Sequence, residues 1–317
     1  MPTTRLQFAP DASSAIRTQP QFSRLAPSLL KQFRATFSRP LEVHSQRFCW
    51  DYWNVPGQYR LLRTPAESFF GDQGHALIRA LTEYGRTHLG CQMISHPWMS
   101  VYLDGHYQNL HSDVPHGPFS FVYSLTPYSE REWKTRPFRG GETLVAKPKL
   151  IRYFRELKSD QSDETEQLFY KIPQPFNQLT VFDPRYPHGV ERVEGVDDLL
   201  KARVVIHGWF TEPRPTILGP LTESKARQGL DLIADHLMRV LGNSQYTGLL
   251  TLKLHVNPSG TLTKTQVLCA HLTSPMGDVL SPSLMTQIYQ PILEQSRSLF
   301  PKARASSTLT LPIEFRA

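Results

Sequence analysis

Tyr102-Leu-Asp-Gly105-His106-Tyr-Gln-Asn-Leu-His111-Ser112-Asp113 is the stretch on which the reading of this chain turns. It is answered downstream by Tyr186-Pro187-His188-Gly189, and then by Ala202-Arg203-Val-Val-Ile-His207-Gly-Trp209-Phe210. Residues at i and i+2 of a strand or its end leave on one side, so His111 and Asp113 can reach one point together while Ser112 turns away. The third ligand has to come from another strand. Leu179-Thr-Val-Phe182 is a short β-prone run leading to His188, and Pro184 and Pro187 end that strand before the ligand. Two imidazoles and one carboxylate on one face of an octahedron, with the opposite face open, form a ligand set for a ferrous ion that activates dioxygen.

The run from Arg203 to Phe210 reads as a buried strand from its β-branched and aromatic content, with a guanidinium at its start. A cation entering a buried strand needs an anion. Guanidinium grips a carboxylate through two parallel charge-assisted hydrogen bonds, which makes Arg203 the natural seat for the far carboxylate of 2-oxoglutarate. The 2-oxo acid end would then chelate the metal.

In a chain with 12 histidines an isolated His-x-Asp carries little weight. The ordered set carries more. Tyr102 and Gly105 precede His111-Ser-Asp113; Phe121-Val-Tyr-Ser-Leu125, Phe138-Arg-Gly-Gly141-Glu-Thr-Leu144, Phe176-Asn-Gln-Leu179 and Phe182 follow; Pro187-His188-Gly189-Val190 and Arg203 to Phe210 close the series. Through these pieces residues 95–213 resemble the Fe(II)/2-oxoglutarate-dependent dioxygenases, and within them the prolyl 4-hydroxylase-like branch.

The resemblance implies a mostly β fold, a double-stranded β-helix of jelly-roll or cupin-like form with flanking helices. It implies Fe(II), 2-oxoglutarate and O2 as working partners, with ascorbate as a reductant. His111, Asp113 and His188 are then both metal ligands and catalytic residues, Arg203 binds the cosubstrate, and the hydroxyls of Tyr102 and Ser124 are partners of its carboxylates. The implied reaction hydroxylates a C–H bond of a peptidyl or free amino-acid-like substrate and releases succinate and CO2. Halogenating relatives replace the carboxylate ligand with a small residue, so Asp113 favours hydroxylation. Two features depart from the pattern. Ser124 stands where oxygen-sensing members carry tyrosine, and the gap from His188 to Arg203 is longer than theirs, so 191–201 is expected to form a longer hairpin.

Length and composition set the frame. The 317 residues are enough for two domains, and 39% hydrophobic with 20% charged residues is ordinary for a folded soluble chain. There is no stretch of about eighteen apolar residues and no leader pattern near the start, so the expectation is a cytoplasmic protein without a membrane span. Cys49, Cys91 and Cys269 are too few and too scattered for a disulfide framework or a cysteine-based zinc site. The net charge of +7 permits acidic partners, yet no basic tract interleaved with aromatics marks a nucleic-acid surface.

Along the chain, residues 1–20 read as a loose polar tail, followed by a helix over 25–37 with Pro27 in its first turn. Phe48-Cys-Trp50-Asp-Tyr52-Trp53 is an aromatic cluster that reads as core, or as substrate-stacking residues at the mouth of the barrel. Residues 76–89 carry apolar positions at helical spacing. The stretch 130–136 reads as a solvated loop; as a lid it would bring Arg131, Lys134, Arg136 or Arg139 to an acidic substrate group. Residues 149–170 read as a helical excursion. The expected domains are an N-terminal helical and aromatic support region (1–94), the barrel (95–213) and a small α+β domain (221–317).

That last domain is read as helix 222–241, strand 248–256, turn 257–260, strand 261–272, helix 283–299 and strand 308–315. From residue 248 onward it weakly resembles the TonB C-terminal-like module, through Leu250 to Gly260 and Leu311-Pro-Ile-Glu-Phe315. Partner docking or homodimer formation by strand addition is the role expected of it.

Two alternatives stand beside this reading, and a third fails. A zinc hydrolase could use the same triad with a bound water, but Arg203 would lose its purpose. A non-catalytic iron- or 2-oxoglutarate-binding sensor would keep the barrel and act through the C-terminal domain. A serine hydrolase built on Ser112 lacks a Gly-x-Ser-x-Gly elbow. His106, His116 and His207 compete as ligands and read as packing or supporting residues.

Overall fold

The computed structural model describes residues 6–38, 51–113, 116–148, 150, 168–242, 245–275, 277–295 and 298–316. Trp50, the side chain of Tyr52, Cys49 and most of the expected excursion at 149–170 lie outside the described residues. In chain order the strands are β1 (Leu6–Phe8), β2 (Ile16–Gln19), β3 (Asp51–Val55), β4 (Tyr59–Pro65), β5 (Cys91–Ile94), β6 (Trp98–Tyr102), β7 (Tyr107–His111), β8 (Phe119–Ser124) and β9 (Thr143–Ala146). They continue with β10 (Phe169–Ile172), β11 (Leu179–Phe182), β12 (His188–Val190), β13 (Arg203–Pro213), β14 (Thr216–Leu218), β15 (Thr247–Val256), β16 (Leu262–Thr273) and β17 (Ser307–Phe315).

Two compact units divide these elements. The first comprises Ile16–Thr82 and Ile94–Thr211; the second comprises Met1–Ala15, Glu83–Met93 and Glu212–Ala317.

In the first unit one large sheet runs in the order β10-β9-β12-β7-β4-β6-β13-β8-β11-β2, with β3 added on β4. Its described pairings are antiparallel, and it is the jelly-roll-like double-stranded β-helix expected from the sequence. All six residues of β8 and all four of β11 are buried. Such continuous burial is what a strand covered on both faces shows, and it takes in Ser120, Ser124 and Thr180 together with their apolar neighbours. β13 splits by parity: Val204, Ile206 and Phe210 pack into the core, while Arg203, Val205, His207 and Trp209 face the opposite way into a cavity.

The helix Ala26–Phe37 matches the expected span and buries Ala26, Leu29 and Phe33. The helix Asp72–Tyr84 buries Leu77 and Leu81 and runs into a wider turn, Gly85–Leu89, that ends at Gly90 with φ of 78°.

In the second unit five strands form the sheet β1-β16-β15-β17-β14. Leu250, Leu252, Leu254 and Val256 share one face of β15 and are buried with Leu230, Ile233 and Leu237 of the helix Glu223–Gly242 and Met285, Tyr289 and Leu293 of the helix Pro282–Gln295. These helical positions recur three or four residues apart, so period 2 meets period 3.6 across one interface. No helix among the described residues is long and apolar enough to cross a membrane.

Three segments differ from their expected form. The polar tail contributes β1, which pairs parallel to β16, and β2, which pairs antiparallel to β11. Strands of three or four residues at a sheet edge are held by backbone hydrogen bonds, so their side chains show too short a pattern to read. β3 and β4 likewise belong to the large sheet rather than to a helical support. The span 191–201 is not a hairpin. It folds over the β6–β7 turn, with Gly105 N–H donating to Val193 O at 2.8 Å and Asp104 N–H to Val196 O at 2.7 Å. Val193 and Val196 are buried there and give the extra residues their purpose.

Candidate metal centre

His111 ends β7 and His188 begins β12, and the two are direct partners in the antiparallel pair. The strands can approach this closely because residue 189 is glycine: a Cβ there would stand 2.5 Å from the carbonyl oxygen of Gln108. The imidazoles come together with ring centroids 4.4 Å apart. Asp113 lies two residues past the end of β7, with Oδ1 3.4 Å from His111 Nε2 and Oδ2 3.1 Å from His188 Nε2. One donor atom from each of the three residues falls within 4.8 Å of the others.

Both rings are held in the same tautomer. His111 Nδ1 donates to Asn109 O and His188 Nδ1 donates to Tyr186 O, each at 2.9 Å. That arrangement leaves both Nε2 lone pairs aimed at the shared space, as metal ligation needs. Octahedral bonds of about 2.1 Å put adjacent donors about 3 Å apart, near the 3.4 Å between His111 Nε2 and Asp113 Oδ1. Burial raises the Asp113 carboxyl, but with His111 and His188 protonated on Nε2 their hydrogen bonds and charge outweigh it and hold the group well below the usual carboxylate range; a cation at the same place would take over that role. The donor set therefore fits a divalent cation.

The triad opens on a cavity of about 450 Å³, which is within the usual range for small-molecule sites. Arg203, at 1% exposure, lines it. Its Nε donates to Gly141 O at 2.6 Å and its Nη2 to Thr143 Oγ1 at 3.3 Å, while its carbon Cζ lies 4.5 Å from the centre of the Tyr102 ring. Gly141 has φ of 81°, and a Cβ there would come within 3.1 Å of Arg203 Cδ, so glycine makes room for this contact. Nη1 has no hydrogen-bond partner, and no carboxylate pairs with Arg203 among the described residues. A buried guanidinium in that state fits an anion such as the distal carboxylate of 2-oxoglutarate.

Tyr102 also lines the cavity, and its hydroxyl is 3.5 Å from Gln108 Oε1. Ser124 does not line it. Its hydroxyl donates to Gln174 O at 2.7 Å and accepts from Thr126 N–H at 3.2 Å, so it is used inside the fold. The hydroxyl beside Arg203 belongs instead to Thr143, which the sequence reading passed over.

His106 is buried away from the cavity, but His116 and His207 both line it. Neither belongs to the donor set, so they flank the site as supporting residues rather than as ligands. His207 Nε2 is 2.8 Å from Ser100 Oγ, and burial, reinforced by the charges of Arg63 and Arg203, pushes its imidazole down to about 4. Trp209 also went unread, although it shares strand parity with Arg203 and His207; that parity was the signal available.

Arg63 reaches the cavity from β4, with its guanidinium carbon 3.0 Å from the centre of the Trp53 ring and 4.1 Å from that of Trp98. Trp53 itself is not a lining residue. In the 130–136 stretch Trp133 is buried, and Arg136 is tied to Gly140 O at 2.7 Å and Glu142 at 2.6 Å. Arg139 pairs with Glu194 at 3.2 Å. None of the lid candidates lines the cavity.

Residues 97–211 match the model of the 2OG-Fe(II) oxygenase superfamily. No curated protein matches the chain in sequence. Among solved structures the chain is similar to a prolyl-4-hydroxylase from Pseudomonas putida, at 13% identity over 64% of this chain and 95% of that one, with a TM-score of 0.42. It is also similar to HygX from Streptomyces hygroscopicus with nickel and 2-oxoglutarate bound, at 12% identity over 62% and 83% of the two chains and a TM-score of 0.42. A third similar structure is AviO1 from Streptomyces viridochromogenes, at 14% identity over 64% and 92% and a TM-score of 0.41. The span 97–211 of this chain is a domain of the 2OG-Fe(II) oxygenase superfamily, an enzyme domain that works with Fe(II), 2-oxoglutarate and O2.

Proposed function

We propose that the chain is a 2-oxoglutarate-dependent hydroxylase acting on a C–H bond of a peptidyl or free amino-acid-like substrate. In this reading His111, Asp113 and His188 hold Fe(II), and Arg203 with Thr143 and Tyr102 receives the cosubstrate. One observation carries it: three donors with their lone pairs turned inward share a cavity with a buried guanidinium whose Nη1 lacks a partner. When bound, Fe(II) with 2-oxoglutarate and O2 supplies the oxidising chemistry, one oxygen atom going to succinate and the other to the substrate.

The chain's own residues bind and orient. Arg203 fixes the distal carboxylate, and the carbonyls of Asn109 and Tyr186 hold the two imidazoles in ligating form. Arg63, on the same cavity wall, is a side chain suited to the carboxylate of an amino-acid-like substrate. Asp113 supports hydroxylation over halogenation, because a carboxylate occupies the position that a halide would need.

Cys91 and Cys269 remain buried thiols, which suits the reducing cytoplasm proposed for the protein. For the unit built around β15–β17 we propose an interaction role, either homodimer formation or partner docking. The support is the short edge strand β14, where Leu218 is 72% exposed.

The test is succinate formation from 2-oxoglutarate by the full chain with Fe(II) and ascorbate. The expected result is turnover in the wild type and none in His188→Ala or Asp113→Ala. Unchanged turnover in both variants would overturn the ligand assignment.

A further inference from the structure

Trp209 on β13 and Ser120 on β8 are direct partners across the strand pair. Both aim a donor at one atom. The indole Nε1–H of Trp209 donates to Asp113 Oδ2 at 3.0 Å, and Ser120 Oγ stands 3.5 Å from the same oxygen. His116 braces the indole from its other side, with ring centroids 4.5 Å apart and a tilt of 35°. The main-chain N–H of His116 donates to the Asp113 carbonyl at 2.9 Å, so brace and carboxylate are tied to each other.

The two oxygens of Asp113 are thus unequal. Neither Trp209 nor Ser120 reaches Oδ1, which faces His111 Nε2 at 3.4 Å. His188 Nε2 also lies 3.1 Å from Oδ2, but that contact is a hydrogen bond only while the nitrogen carries a proton. Ligation takes that lone pair, whereas the indole N–H keeps its proton throughout the working range.

We infer that Trp209 is a positioning residue for the metal-binding carboxylate: its N–H, supported by the Ser120 hydroxyl, occupies Oδ2 and leaves Oδ1 as the single ligating oxygen. A carboxylate bound through both oxygens would fill a second coordination position. Two imidazoles, one carboxylate oxygen and a bidentate cosubstrate leave one of six positions for O2, and a second carboxylate oxygen would take it. The clamp on Oδ2 keeps that position available. This inference rests on the reading of His111, Asp113 and His188 as metal ligands.

Co(II) alone, titrated into the full chain and followed by its visible d–d absorption, separates the two claims. Wild type is expected to bind, and Asp113→Ala to lose binding. Trp209→Phe keeps an aromatic ring against His116 but removes the donor. It is expected to bind Co(II) about 10–100-fold more weakly, the usual consequence of deleting a partner that orients a ligand. Its band should also change in intensity and position as the carboxylate turns to two-oxygen ligation. Ser120→Ala, a small change at a buried position, is expected to shift both readouts in the same direction by less, and it carries the test if Trp209→Phe does not fold.

A Trp209→Phe protein with wild-type affinity and band overturns the inference, as does weaker binding with an unaltered band, which would assign Trp209 to packing alone. If Trp209→Phe does not fold, wild-type affinity and band in Ser120→Ala overturn it. Wild type without Co(II) binding, or Asp113→Ala binding like wild type, refutes the ligand reading itself and takes the inference down with it.

Discussion

His111 and His188 face each other directly across the β7–β12 pair, 77 residues apart in the chain by number and 4.4 Å apart by ring centroid. Two ligands from one cross-strand pair start close together, and neither ring needs a long flexible side chain to reach the ion. The carboxylate comes from the residue that follows the strand end by two, so a single register fixes all three donors. A shift of one residue in that register would turn His188 to the other face of the sheet.

Gly189→Ala tests this dependence. The added Cβ meets the Gln108 carbonyl oxygen at 2.5 Å, and backbone cannot swing aside as a side chain can. β12 must move off β7 and carry His188 away from His111. The expected outcome is a stability loss of about 1–3 kcal/mol, typical of overpacking, together with weakened Co(II) binding. Thermal melting and metal titration would read the two effects, and wild-type metal affinity in this variant would show that the strand approach does not set the ligand geometry.

Arg203→Gln separates cosubstrate binding from metal binding. The guanidinium lies on the cavity wall, held by Gly141 O and Thr143 Oγ1, and it is no part of the donor set. Removing one member of a buried charge pair costs about 3–5 kcal/mol, which corresponds to a loss of 2-oxoglutarate affinity of about 100-fold or more. Co(II) affinity without cosubstrate should stay near wild type. Calorimetric titration of 2-oxoglutarate into the Co(II)-loaded protein is the measurement, and an unaltered isotherm would remove Arg203 from the cosubstrate site.

The sequence was most legible where spacing alone decides geometry. His111 with Asp113, the strand beginning at Arg203, and the five main elements of the second unit could all be read because periods of 2 and 3.6 persist over enough residues. The expected helix 222–241 and the observed Glu223–Gly242 differ by one residue at each end. What stayed hidden depends on partners distant in sequence. Leu6–Phe8 becomes a strand only because β16 offers a free edge, and Arg63 becomes a cavity residue only because β4 is inserted between β7 and β6. Ser124 was given a role in the site by its alignment with a tyrosine in relatives. A serine hydroxyl is shorter, and here it is spent inside the fold, donating to the Gln174 carbonyl and accepting from Thr126 N–H in its own turn.

Ser124→Ala should therefore behave as a stability variant. Its removal strips a donor from the Gln174 carbonyl and an acceptor from Thr126 N–H, both buried, at a cost of about 1–3 kcal/mol. The concentration of 2-oxoglutarate needed for half-maximal succinate formation should not move. Thr143→Val, which removes the hydroxyl beside Arg203 while keeping the shape, should raise that concentration. The opposite pattern, with Ser124→Ala affecting cosubstrate and Thr143→Val not, would return Ser124 to the site.

The last expectation concerns acid. Burial, followed by the charges of Arg63 and Arg203, pushes His207 down to about 4 from the ordinary imidazole value of 6.5. Above pH 6.5 the imidazole is neutral whether the chain is folded or not, and it contributes nothing to the pH dependence. Below that value the unfolded chain takes up a proton that the folded one refuses, so stability falls until the pH reaches about 4, where both forms are protonated. His207→Gln keeps a hydrogen-bonding group for Ser100 Oγ but cannot titrate. Urea-unfolding midpoints of wild type and variant, measured from pH 6.5 down toward about 4, should therefore shift in the variant's favour as acid is added. A constant difference across that window would mean that His207 keeps an ordinary affinity for protons inside the barrel.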